Sequence, residues 1–132
     1  MDFRAMSKEV APEVIELRHD FHQHPEASMA EFRTTDRIAE ELDKMGIPYR
    51  RFDPTGLIAT IQGGQPGKTV ALRADIDALS ITETADVPFK SQNEGFMHAC
   101  GHDTHAAMLL GAAMILNKIK DQLKGTVKLM FQ

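Results

Sequence analysis

The chain has 132 residues, 42% of them hydrophobic and 26% charged, and a formal net charge of −4. This is the profile of one soluble globular domain or part of one, and no Lys/Arg cluster dense enough for nucleic acid is present. No stretch approaches the ~18 apolar residues of a membrane span. Met1-Asp2-Phe3-Arg4-Ala5 lacks the basic-then-apolar layout of a signal peptide, and a single cysteine excludes an internal disulfide. The expectation is a cytoplasmic protein with no membrane and no nucleic-acid partner.

Residues 7–22 read as a helix. Ser7 is placed to cap it, Val10, Val14, Leu17 and Phe21 fall on one stripe, and His24-Pro25 closes it. His19, His22 and His24 lie near its end. Either they meet the helix dipole, or one of them approaches an active site. Ser28-Met29-Ala30-Glu31 has the form of a capping box and opens a second helix to about Met45. Phe32, Ala39, Leu42 and Met45 form its expected buried side. Asp36, Arg37, Glu40, Glu41 and Lys44 form its solvated face, and Gly46 ends it.

Three strand candidates follow, at Tyr49–Phe52, Leu57–Ile61 and Thr69–Arg73. Gly63-Gly64-Gln65-Pro66-Gly67 reads as a hairpin turn. It lacks the Lys-Ser/Thr ending of a phosphate loop. Residues 74–97 have no long periodic segment and read as loop. A helix from Asp103 or Thr104 to about Lys120 comes next, with Ala107, Leu110 and Ala113 or Met114 inward and Gly125 as breaker. A strand spans 126–131. The order α-α-β-β-β-α-β predicts an α/β fold with helices packed on a sheet. Val127-Lys128-Leu129-Met130-Phe131-Gln132 stops in mid-strand by its pattern, so truncation is expected.

The densest chemistry lies in Met97-His98-Ala99-Cys100-Gly101-His102-Asp103-Thr104-His105. These nine residues hold the only cysteine and three of the six histidines. Cys and His are the preferred ligands of zinc-like divalent ions. Gly101 eases the bend that brings Cys100 and His102 toward one point. Asp103 and His105 can ligate or orient a ligand imidazole, and a helix N-terminus beyond favours the Cys100 thiolate. Two ligands are too few for a catalytic zinc. By residues alone three readings stand: a metal site, a Cys–His nucleophile pair, or a buried inert cysteine beside surface histidines. A second candidate, Arg73-Ala74-Asp75-Ile76-Asp77-Ala78-Leu79, follows the best strand, where open α/β sheets gather their sites. Its two carboxylates can serve a ligand or metal, or form an aspartate-rich turn paired with Arg73.

The Arg73–Leu79 and Met97–Ala113 segments together closely resemble the amidohydrolase branch of the dinuclear-metal aminoacylase/carboxypeptidase metallopeptidase family. That branch includes hippurate hydrolases, N-acyl-amino-acid amidohydrolases and auxin-conjugate hydrolases. Arg18 to Glu26 and Glu31 to Thr34 are similar to its N-terminus. The resemblance implies the N-terminal part of a zinc-peptidase-like α/β/α catalytic domain. It matches Cys100 and His102 to metal ligands, Cys100 bridging, and gives Asp75 a supporting catalytic role. Arg73 stands where other branches carry a ligand histidine, and Ser80 where proline is usual. Two divalent ions (Mn, Zn, Ni or Co) would activate water for hydrolysis of the amide bond of an N-acyl amino acid. The family's general-base glutamate belongs to a Glu-Glu pair just past the final strand, and a lid domain supports a homodimer. The 132 residues read as a portion truncated before that pair. The expectation is therefore an inactive fragment when isolated, the alternatives being a non-catalytic binding module or a Cys–His hydrolase.

Overall fold

The computed structural model describes residues 1–132. Its elements are α1 (Phe3–Gln23), α2 (Phe32–Met45), β1 (Tyr49–Arg51), β2 (Leu57–Gln62), β3 (Gln65–Ala74), α3 (His102–Lys118) and β4 (Lys124–Phe131), with a 3-10 turn at Lys120–Gln122. The expected order holds, and the boundaries shift for local reasons. Asp2, not Ser7, caps α1 by accepting the Ala5 N–H at 3.1 Å. Ser7 lies inside the helix and donates to the Phe3 carbonyl. Pro12 is tolerated within α1 on its exposed side, while Leu17 and Phe21 are buried and Val14 packs against the core.

Ser28–Glu31 is not a capping box. Met29 turns the chain with a φ of 67°, and Glu31 precedes α2 without a side-chain capping bond. The first turn is held instead by Glu26, whose carboxylate accepts the Arg33 and Thr34 N–H groups at 3.0 and 2.7 Å. This re-aims the helix. Phe32, expected inside, is exposed, and Thr34, Thr35, Ile38, Ala39 and Leu42 face inward. Glu41, expected on the solvated face, is buried beneath its ion pairs with Arg37 and Lys44.

The sheet order is β1-β2-β4-β3. β1–β2 and β2–β4 are antiparallel, and β4–β3 is parallel. The hairpin reading of Gly63–Gly67 is therefore wrong, because β4 lies between β2 and β3. The two glycines carry the chain tightly past the start of β4. Gly63 N–H donates to the Gly125 carbonyl at 2.8 Å and Gly64 N–H to the Lys120 carbonyl at 2.9 Å. A Cβ on either would sit 2.4 Å from a carbonyl oxygen, of Leu123 or Asp121. Gly125 does not end α3, which stops at Lys118. It lies within β4 at a φ of +88°.

Strand alternation puts Leu57, Ala59, Ile61, Leu129 and Phe131 on one face of the sheet, where they join buried residues of all three helices. Thr60, Thr126 and Lys128 occupy the other face, with Lys128 donating to Thr60 Oγ1. The chain thus supplies the sheet and one helical layer. Small residues in α3 permit close helix–helix contact as well as helix–sheet contact, since a Cβ at Gly111 would stand 2.7 Å from Val14 Cγ2 of α1. The parallel pair β3–β4 ends at Ala74 and Phe131. The chain leaves that end as the 75–101 segment and returns to begin α3. This brings both chemical motifs to the carboxyl ends of two parallel strands.

Candidate metal centre

Segment 75–101 contains no helix or extended strand, as expected. Two isolated bridges, Ala27 to Ala78 and Leu79 to Met97, fasten its ends. Gly101, at a φ of 93°, precedes the first residue of α3, so the helix begins at His102, one residue earlier than expected. Within that first turn the side chains divide. Asp103 faces inward and is buried, while His102 and His105 lie toward the end of β3.

Asp75, His102 and His105 each place one potential ligand atom within 4.8 Å of the others. His105 Nδ1 is 2.7 Å from Asp75 Oδ1 and His102 Nε2 is 3.1 Å from Asp75 Oδ2. On the other edge of the His102 ring, Nδ1 lies 2.9 Å from both Asp77 Oδ1 and the Asp77 carbonyl. Both are acceptors there, so Nδ1 carries a proton, and the opposite edge of the ring turns Nε2 toward Asp75. A carboxylate behind a ligand imidazole is the usual support of a metal-binding histidine. Burial works against ionisation of Asp75, yet the bond from His105, the nearby His102 charge and its own backbone N–H hold its carboxyl below the ordinary range. This mixed nitrogen and oxygen donor set suits a divalent ion of the zinc or manganese type.

The expected residues meet only in part. His102 and Asp75 come together. Cys100 is exposed at the turn before α3 and is not among the three clustered donors, which removes the reading of a buried inert cysteine. His105, expected in a supporting role, takes a full place in the cluster. Arg73 reaches Asp75 Oδ2 at 3.7 Å and donates to Gln132 Oε1 at 3.0 Å, as the paired-turn reading anticipated. A cleft of about 490 Å³ is lined in part by Arg73, Asp75 and His105.

A second cluster lies behind the first. His22 is buried, with Nδ1 2.8 Å from Asp103 Oδ2 and Nε2 2.9 Å from Glu83 Oε2. Arg18 Nε donates to the same Asp103 oxygen at 2.9 Å. The dipole reading of the three α1 histidines therefore fails for His22. His24 bonds the Asp20 carbonyl, and His19 stacks on Phe89 with ring centroids 3.9 Å apart. Nearby His98 is buried with neither ring nitrogen bonded, and burial pushes its pKa down to about 4.

The mixed α/β topology gathers histidines and aspartates at strand ends, a donor set that suits a divalent ion. Residues 71–132 match the model of Peptidase family M20/M25/M40. The chain is 50% identical over 95% of its length to "Thermostable carboxypeptidase 2" of Saccharolobus solfataricus, covering 32% of that protein. It is 42% identical over 99% of its length to "N-acyl-L-amino acid amidohydrolase" of Geobacillus stearothermophilus, covering 36% of it. Among solved structures, a Bacillus subtilis dinuclear metal binding peptidase of the M20 family superposes over 98% of this chain with a TM-score of 0.89 at 44% identity, 36% of that chain being covered. The chain thus spans about a third of the length of the relatives it matches. No helix is long and apolar enough to cross a membrane.

Proposed function

We propose that this chain forms one wall of a dinuclear metal centre in a hydrolase that cleaves the amide bond of N-acyl amino acids. The observation that carries the reading is the convergence of Asp75, His102 and His105, with Asp77 bonded to the rear of the His102 ring. Cys100 and His102 would hold metal, Cys100 by turning inward from its exposed position. Asp75 would support the centre, and His105 lies close enough to join it. Bound divalent ions would polarise the substrate carbonyl and lower the pKa of water. Asp77 fixes the tautomer of His102, and Asp75 sets the spacing of the two imidazoles. Similarity to an N-acyl-L-amino acid amidohydrolase supports the substrate class. Manganese, zinc, nickel and cobalt are the candidate metals. A cytoplasmic setting and a homodimer formed through a lid domain belong to the same reading.

The 132-residue chain by itself is proposed to bind metal weakly and to hydrolyse nothing, because the described donors are too few for two ions and none is placed as general base. Co²⁺ titration should show a thiolate charge-transfer absorption that is absent in Cys100→Ser. Hydrolysis of N-acetyl-methionine should be undetectable. Chelator-sensitive hydrolysis restored by Mn²⁺ would overturn the inactivity and uphold the metal reading. Hydrolysis blocked by iodoacetamide but indifferent to chelators would overturn the metal reading in favour of a Cys–His nucleophile.

A further inference from the structure

We propose that His22 is a positioning residue for the metal centre, acting as a buried imidazolium that locks Asp103 at the start of α3 to Glu83 of the 75–101 segment. The inference rests on the metal reading above. It starts from a count of protons. Asp103 Oδ2 accepts from Arg18 Nε at 2.9 Å and faces His22 Nδ1 at 2.8 Å. The Glu83 oxygens face His22 Nε2 at 3.1 and 2.9 Å, and Glu83 Oε1 also accepts the Ser91 N–H at 2.7 Å. Ionised carboxylates only accept. Both ring nitrogens must therefore donate, and the ring is charged. Burial opposes ionisation of Glu83, but the His22 bond and the Ser91 N–H outweigh it and hold the carboxyl below its ordinary range. Two cations, Arg18 and His22, thus balance two anions, Asp103 and Glu83, in a pocket sealed by Phe89, which lies edge-on to His22 with centroids 5.5 Å apart.

The placement connects this charge to the centre. Arg18 and His22 are four residues apart on α1 and share a face. Asp103 is the next residue after His102, so holding its side chain inward sets the rotation of the first turn of α3. That rotation decides where His102 and His105 meet Asp75. Glu83, at the other end of the ring, anchors the segment that returns through Cys100. A buried ion network of this kind contributes little net stability relative to an apolar core, but it is demanding about geometry. Its consequence should be read in the metal site.

The test uses the 132-residue chain, with Co²⁺ as probe. NMR of the wild-type imidazole nitrogens should show both His22 ring positions protonated at neutral pH. His22→Gln is expected to weaken Co²⁺ binding about tenfold, the scale of loss of a supporting partner, and to shift the visible ligand-field band. Glu83→Gln should produce a smaller loss. The double variant, which exchanges the charged pair for two neutral amides, should regain part of the affinity. A His22 nitrogen without its proton overturns the role. So do folded variants that bind Co²⁺ with wild-type affinity and an unaltered band, and either result leaves the metal reading standing. A wild-type chain that takes up no Co²⁺ overturns the metal reading and this role with it. Should His22→Gln fail to fold, Glu83→Gln, which keeps the His22–Asp103 contact, decides by the same two readouts.

Discussion

Two histidine–carboxylate clusters stand back to back across the first turn of α3, and they use the same side chains to opposite ends. In the inner one, the His22, Glu83 and Asp103 side chains are 4%, 2% and 1% exposed. In the outer one, His102, Asp75 and His105 are 15%, 23% and 47% exposed. The inner charges are desolvated and bound to one another, so removing any one strands its partner. The outer groups face solvent on one side, where a ligand can reach them. Burial, rather than residue type, separates a structural ion network from a candidate binding site only one helical residue away.

The largest effect that tests this contrast is Asp103→Ala, which leaves His22 and Arg18 without their acceptor. Urea unfolding should show a loss of about 3–5 kcal/mol. His102→Ala, one residue earlier, should change stability by less than about 1 kcal/mol, since its ion pairs are partly solvated. It should nevertheless abolish Co²⁺ uptake by the chain. Equal stability losses at the two positions would break the comparison. Asp77→Asn, which weakens the hold on His102 Nδ1 without touching the donor atoms, should reduce Co²⁺ affinity about tenfold by calorimetry while leaving the melting temperature in place.

The smallest effect is on acid stability. The folded Glu83 carboxyl lies below its ordinary value of 4.5, so the unfolded chain takes up that proton first. Its stabilisation is present above 4.5 and disappears as the pH falls through the lowered folded value. Glu83→Gln should therefore flatten the acid limb of a stability–pH curve below 4.5, and an unchanged limb would place the ionisation elsewhere.

The sequence showed those features whose causes are local. The element order followed from apolar spacing and turn residues, and the Met97–His105 stretch stood out as a candidate site by its composition. What was hidden depends on partners far along the chain. Glu26 caps a helix that Ser28 was expected to cap, because Met29 turns the intervening residues aside. His22 finds Asp103 across 81 residues, and no periodicity within α1 indicates that contact. The Gly63–Gly64 link looked like a hairpin because nothing in β2 or β3 announces that another strand lies between them. Thr69–Arg73, which reads as the best of the strand candidates, forms the end of the sheet order next to β4 alone, with Val70 56% exposed. Its composition suits burial on both faces, whereas α3 covers only the Ala74 end.

That inserted strand has a consequence in time as well as space. β4 follows every other element described here, yet it is the one that joins β2 to β3. During synthesis the apolar side of β2 and the paired edges on either side of the gap must wait for Lys124–Phe131 to emerge. Such long-range pairing is slow, and the waiting chain exposes surface that can aggregate. A nascent chain arrested before Lys124 should be readily cut by protease and should depend on chaperones. One arrested well after Phe131 should be cut more slowly between Leu57 and Phe131. The order in which the ribosome delivers the strands, not their number, sets when these four strands can first pair into one sheet.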